Sequence, residues 1–325
     1  MQFRPSPAGT QGQTCPGSCY SAGMTRRLST STITLLSIAP LMWASNAVIG
    51  RMINDLVPPM TLNFLRWLLA FLVLLPLAHR VLHRDSLMWR HWRRFALLGL
   101  LSVGAYNSLQ YLALHTSTAM NVTLVASSIP IWMLGLGWLL HGEKISPRQA
   151  WGAVLSIGGV LIVLSRGDAA VLMQMRLVPG DFYVLLATAA WAGYSWMLAR
   201  PTEPPSIRQD WVSFLLAQIF FGLLWSGLFV AGEWALTPAR IQWSWPVVAA
   251  MIYITLGPAL LAYRAWSAGI QRAGPAVASF FSNLTPLFAA LMSTIFLGEW
   301  PSTYHALAFG LIVGGIVVSS RRQGA

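Results

Sequence analysis

The chain has one lysine, two cysteines and nine acidic residues among its 325 positions, and each scarcity excludes something. The lysine, Lys144, follows Glu143. A Walker-type phosphate loop needs lysine after glycine and beside serine or threonine, so nucleotide hydrolysis by that route is excluded. A Schiff-base lysine would have to be this same residue, in a short charged loop. Cys15 and Cys19 lie in a polar stretch without a nearby histidine, which makes a poor metal site and no disulfide framework. No Asp or Glu falls deep in an apolar run, so a relay of buried carboxylates is not indicated.

Charge as a whole is scarce: 9% of residues are charged and 56% are hydrophobic. Soluble domains carry about 25% charged residues, so a soluble globular protein and a disordered chain are both excluded. What remains is an all-α polytopic membrane protein. Twenty of the basic residues are arginines and the net charge is +12. They stand in short gaps between apolar runs, where topology determinants belong, and nucleic acid is not the expected partner.

A membrane-crossing helix needs about 20 largely apolar residues. Ten such runs occur, near 33–53, 60–78, 94–114, 119–140, 148–165, 180–199, 211–231, 246–270, 275–297 and 303–320. They are too apolar for alternating barrel strands. Residues 1–28 are rich in Gly, Pro, Ser, Thr and Gln, have no apolar core of a signal peptide, and are expected to be disordered. Met24, followed by Thr-Arg-Arg and the first span, is the expected true start. With the N-terminus inside, the inner segments hold 15 of the Lys and Arg residues and the outer ones 4. That ratio predicts both termini in the cytoplasm. Arg66 and Arg264 lie within spans.

The second half repeats the first. Moved by 156 positions, Pro130 falls on Pro286, Gly142-Glu143 on Gly298-Glu299, Ser146 on Ser302 and Gly158-Gly159 on Gly314-Gly315. Moved by 148, Ala39, Trp43 and Ala44 fall on Ala187, Trp191 and Ala192. The expected units are a first repeat at 33–165 and a second at 180–320. Five helices per repeat is an odd number, so the second copy would cross the membrane in the opposite sense. Inverted repeats with a site between them underlie alternating access in secondary transporters.

These residues also carry a family likeness. The chain resembles the EamA-type transporters of the drug/metabolite transporter superfamily over about 33–320. The likeness rests on Trp43-Ala-Ser-Asn46, Phe64-Leu-Arg66, Pro130 through Gly142-Glu143, Gly180-Asp181 through Trp191-Ala192 to Arg200, Pro286 through Leu297-Gly298-Glu299, and Gly314-Gly315. It implies a ten-helix secondary transporter with a central cavity, often exporting amino acids or other metabolites. The inner location of both termini suggests a bacterial inner membrane. No cofactor is implied. The partners are a small-molecule substrate and the lipid bilayer, and oligomeric state is left open.

Candidate site residues follow from polarity at membrane depth. A charge there costs about 2.5–3.5 kcal/mol on insertion scales. Arg66 fits a structural or interfacial role, whereas Arg264, between Tyr263 and Ala265 and two residues before Trp266, is a candidate for a substrate carboxylate. Asn46, Asn107, Gln110 and Asn283 need polar partners within apolar spans, either on neighbouring helices or in a cavity. Asn107, Gln110 and Tyr111 share one helical face. Trp43 and Trp191 either pack or wall a cavity, and Tyr106, Tyr194 and Tyr263 are weaker candidates of the same kind. Pro130 and Pro286 predict paired bends that could let bundles rock. Glu143 and Glu299 end their spans and fit helix-end caps or ion pairs. His79 and His83 have metal-ligand spacing, but Arg80 and Arg84 beside them disfavour a cation. An integral membrane enzyme acting on lipid-linked substrates is the alternative class, though no polar catalytic cluster at the lipid interface stands out.

Overall fold

The computed structural model describes residues 28–53, 56–114, 116–117, 119–174, 178–238, 240–297 and 303–320. The N-terminal stretch with Met24, the Gly298-Glu299 pair and Ser302 lie outside the described residues, and so do the expectations placed on them.

Among the described residues every regular element is helical. Proline opens many of them, where its missing N–H is no loss. The first two are α1 (Thr30–Ile53) and α2 (Pro59–Ala78). The helical run 92–114, α3, contains a seven-residue π segment, Leu100–Tyr106. Then come α4 (Ala119–Ala126), α5 (Ile129–His141) and α6 (Pro147–Ser165). The second half holds α7 (Pro179–Ala199), α8 (Trp211–Leu236) and α9 (Trp245–Ala273), the last with its own π segment, Thr255–Leu261. It ends with α10 (Pro275–Ser282), α11 (Leu284–Leu297) and α12 (Thr303–Ser320).

Among the described residues eight helical stretches are long and apolar enough to cross a membrane. They match the expected spans except the third and fourth. The third is a helical run interrupted by its π segment, and the fourth is broken at Ser127-Ser128 between α4 and α5. The ninth has a similar break at Asn283, between α10 and α11. Leu77, Trp138, Leu139, Leu140, Trp151 and Leu228 are all more than half exposed. Such an apolar sheath is untenable in water and ordinary in lipid. The protein is an integral membrane protein.

Element positions recur along the chain. Pro275 stands 156 residues after Ala119, and Thr303 stands 156 after Pro147; the π segments start 155 apart. Helices α6 and α12 pack against each other where glycine lets backbones touch. A Cβ on Gly152 would lie 2.8 Å from the Gly315 carbonyl oxygen, and one on Gly159 would lie 2.8 Å from that of Ala308. Under the 156-residue shift Gly152 becomes Ala308 and Gly159 becomes Gly315, so the two contacts are each other's images. Gly158 and Gly314, by contrast, face open space.

Candidate functional site

Trp43 of α1 and Trp191 of α7 occupy matching places in the two halves, and their rings meet edge to face with centroids 5.2 Å apart. Trp266 of α9 lies 5.3 Å from Trp43 and 5.7 Å from Trp191. Tyr106 approaches Trp191 from α3 at 4.6 Å, and Tyr194, one turn along α7, at 5.1 Å. Tyr263 lies 5.5 Å from Trp191 and 4.8 Å from Trp67 of α2. Five helices, α1, α2, α3, α7 and α9, therefore converge on aromatic rings. Ring pairs of this geometry each stabilise by about 0.5–1.5 kcal/mol beyond burial.

A polar network lies beside the rings. The Arg66 side chain is buried, at 3% exposure. Its Nη2 donates to Asn63 Oδ1 at 3.1 Å and to Asn107 Oδ1 at 2.8 Å. Asn107 Nδ2 donates to the Ser102 carbonyl at 2.8 Å and to the Tyr263 hydroxyl at 3.3 Å. Asn63 Nδ2 donates to the Val103 carbonyl at 3.1 Å. Ser102 and Val103 belong to the π segment of α3, whose wide turn frees carbonyls from the usual α-helical ladder. The π segment of α9 reaches the same place, with Thr255 donating to the Arg66 carbonyl at 3.3 Å.

Among the described residues no carboxylate pairs with Arg66. Its Nε, together with the indole N–H groups of Trp67 and Trp191, is a buried donor without an acceptor. Each such group leaves about 1–3 kcal/mol of desolvation uncompensated. The guanidinium lies 5.2 Å from the Trp67 ring centroid, a cation–π contact that offsets only part of this.

A cavity of about 410 Å³ adjoins the centre, within the size range of small-molecule sites. Tyr194 and Tyr263 form its inner wall, Trp211, Phe214 and Gln218 of α8 another, and Arg264 and Arg272 of α9 a third. Arg264 stacks over the Trp211 ring at 5.3 Å and pairs with no described acid. Gln218 Nε2 donates to the Phe214 carbonyl at 3.2 Å, while its buried oxygen has no partner.

A charged clasp holds the mouth of this cavity. Glu203, in the α7–α8 loop, is enclosed between Arg94 of α3 and Arg208, the latter donating at 2.9 Å. Arg94 also bonds the carbonyls of Met197 and Arg200, and Arg208 that of Leu198. Those carbonyls end α7, where helical partners run out and cations are favoured. Burial pushes the Glu203 carboxyl up. Backbone N–H groups and the Arg94 guanidinium outweigh it and hold the group below the usual carboxylate range.

The other end of α1, α2 and α9 is sealed. Ile53, Val57, Leu62, Val247, Met251 and Ile254 form a separate buried apolar cluster there. The Gln242 N–H donates to the Leu56 carbonyl at 2.8 Å. Glu233, in the last turns of α8, accepts from the Met60 and Thr61 N–H groups at 2.9 and 2.8 Å and so caps α2. Its helix runs past the expected span end at 231, which is why this acid escaped notice in the sequence.

The remaining expected residues scatter. Gln110 donates to the Tyr106 hydroxyl at 3.1 Å, and Tyr111 is half-buried. Asn46 Oδ1 is buried without a partner. Asn283 donates to Ser156 of α6 at 2.9 Å, a helix-to-helix bond away from the rings. Pro130 and Pro286 sit in the first turns of α5 and α11, just after the chain has broken. Glu143 pairs with Arg200 across half-exposed loops. Glu299 lies outside the described residues. Asn63, Trp67, Trp266, Gln218 and Glu203 were not foreseen. Spacing was a usable signal for two of them: Asn63 precedes Arg66 by three residues, and Trp266 follows Tyr263 by three.

Known proteins share this arrangement. A solved crystal structure superposes with a TM-score of 0.69 at 22% identity, covering 89% of this chain and 96% of that one, a likeness of fold. An uncharacterized transporter of Archaeoglobus fulgidus is 23% identical over 91% of this chain and 99% of its own length. The aromatic amino acid exporter YddG of Ancylobacter novellus is 23% identical over 90% of this chain and 98% of its own. The uncharacterized inner membrane transporter YedA of Escherichia coli K12 is 26% identical over 86% and 87%. The model of the EamA-like transporter family matches residues 30–165 and 178–321, and the chain belongs to that family.

Proposed function

We propose that this protein is a secondary transporter that exports a small polar metabolite, such as an amino acid or a related compound, by alternating access. The observation that carries the reading is the 410 Å³ cavity, lined by second-half residues and ending on Tyr194 and Tyr263, the latter packed on Trp67 of the first half, while the far end holds a buried apolar cluster. A route open to one side and closed to the other is what alternating access requires. Family membership and transporter relatives of matching length support the class.

The architecture under this reading has ten spans in two five-helix repeats, 33–165 and 180–320, of opposite topology. The reciprocal glycine contacts of α6 and α12 support it, because a two-fold relation makes residue i touch j while the image of i touches the image of j. The meeting of Trp43 with its counterpart Trp191 is what residues near such an axis do. Both termini then face the cytoplasm of an inner membrane, and the cavity opens inward.

The test is metabolite profiling inside and outside cells that overproduce the protein, beside cells producing Arg264→Ala or the cavity-filling Ala268→Trp at equal membrane level. A polar compound that accumulates outside with the wild type alone supports export through this cavity. Equal profiles in all three, with the protein inserted, remove the reading.

A further inference from the structure

Resting on the transporter reading, we propose that the cargo is a carboxylate carried on a flat apolar body, and that Arg264 and Arg66 hold that carboxylate in succession. Charge along the route favours an anion. The cavity walls carry Arg208, Arg264 and Arg272 against one acid, Glu203. That acid is already neutralised by Arg94 and Arg208. Arg272 is engaged by Ser31, to which it donates at 2.7 Å. Arg264 is left with only the face of Trp211. Deeper in, Arg66 has no counter-charge among the described residues, and its Nε joins two indole N–H groups as donors without acceptors. A cargo whose only charge is an ammonium would meet like charge at both places, the unpartnered Gln218 oxygen being the one spare acceptor described in the cavity wall. A carboxylate supplies the missing charge and acceptor oxygens, and guanidinium binds it through paired N–H bonds.

The rest of the wall describes the rest of the cargo. Tyr194, Trp211, Phe214 and Tyr263 give the wall flat aromatic surface between polar positions at Gln209, Gln218, Ser267 and Gln271, and the volume suits a single ring with a short polar chain. The two arginines are also physically joined. Tyr263 lines the cavity next to Arg264, its hydroxyl accepts from Asn107, and Asn107 accepts from Arg66. Two hydrogen bonds therefore lead from the cavity wall at Tyr263 to Arg66, whose Nε is unpartnered.

The experiment uses the full chain in phosphatidylcholine nanodiscs, with 3-phenylpropionate, L-phenylalanine and phenethylamine as calorimetric probes at neutral pH. Efflux of radiolabelled L-phenylalanine from preloaded proteoliposomes is the second readout. Both carboxylates are expected to bind at least about tenfold more tightly than phenethylamine, which shares the ring but not the anion. Arg264→Gln should weaken both carboxylates about tenfold and leave phenethylamine unchanged. Arg66→Gln should leave binding within about twofold yet cut efflux at least tenfold, the pattern of a group used after capture. Arg66→Lys, which keeps the charge, decides the matter if the glutamine variant fails to fold. Phenethylamine binding as well as the carboxylates, or no binding of either carboxylate, overturns the proposal while export by metabolite profile still stands or falls separately. Wild-type affinity in Arg264→Gln, or loss of binding in a folded Arg66 variant, overturns the succession.

Discussion

The clasp around Glu203 and the centre around Arg66 are both buried, both built on arginine, and both anchored to backbone carbonyls. They differ in their ledger of charge. In the clasp two guanidiniums share one carboxylate and also cap the end of α7. In the centre one guanidinium has only amide oxygens for partners, and donors are left over. A protein that needed only rigidity would have matched Arg66 with an acid or replaced it with an apolar residue, since breaking even is the best a buried ion usually does. The difference teaches that the clasp is satisfied as it stands, whereas the centre keeps buried donors that the proposed carboxylate would satisfy.

Substitution can separate the two. The largest effect is expected from Arg66→Met: efflux should fall about a hundredfold, a loss near 3 kcal/mol in the transport barrier, with thermal stability unchanged or raised. Efflux within a factor of three of wild type would erase the contrast. Glu203→Ala should do the reverse. It leaves two arginines buried side by side and should lower unfolding stability in detergent by about 3 kcal/mol, the low end for a broken buried pair because both arginines keep some solvent. Its transport per folded molecule should fall far less than that of Arg66→Met, because Glu203 lines the cavity but is already neutralised by its two arginines. Gly159→Leu, which forces a side chain into the Ala308 carbonyl of α12, should cost about 1–3 kcal/mol in the same unfolding measurement, and no loss would mean that the helices separate freely.

Acid sharpens the comparison further. The folded-state pKa of Glu203 is depressed, so its stabilisation is full above the unfolded value and is lost progressively as pH falls from there through the depressed one. Unfolding followed against pH should show this loss in the wild type and not in Glu203→Gln. The smallest effect belongs to Glu143→Gln. Its partner Arg200 and Glu143 itself are half exposed, so the pair should contribute under about 1 kcal/mol, and a larger change would mark the loop contact as a latch.

Much of this was legible before any coordinates. Apolar runs of spanning length stand out by composition alone, and eight reappear as helices fit to cross a membrane. The third and fourth are helical as well, but the π segment in α3 and the break at Ser127-Ser128 leave no mark in hydropathy, which records side-chain polarity and not the hydrogen-bond ladder. Arg66, Asn107, Trp191 and Tyr263 stood out because polar or aromatic groups at membrane depth are rare or bulky. Their mutual arrangement did not, since it depends on how five helices cross. Glu203 was hidden for the opposite reason. In a loop, an acid among arginines looks solvated, and only tertiary packing encloses it.

The reciprocal contact between α6 and α12 has a consequence for how such a bundle can specialise. Between two separate identical chains, every change on one face of a self-complementary contact must appear on the other. Joined in one polypeptide, the faces are free to drift. Ser156 lies against Gly315, but its counterpart Ile312, which lies against Gly159, has already become a different residue. That same freedom lets a guanidinium stand in the first half without obliging the second to carry its twin. A pair of equal chains would offer a solute two equal ends; a fused pair can offer one charged end and one plain one, and so can read a molecule that is itself lopsided.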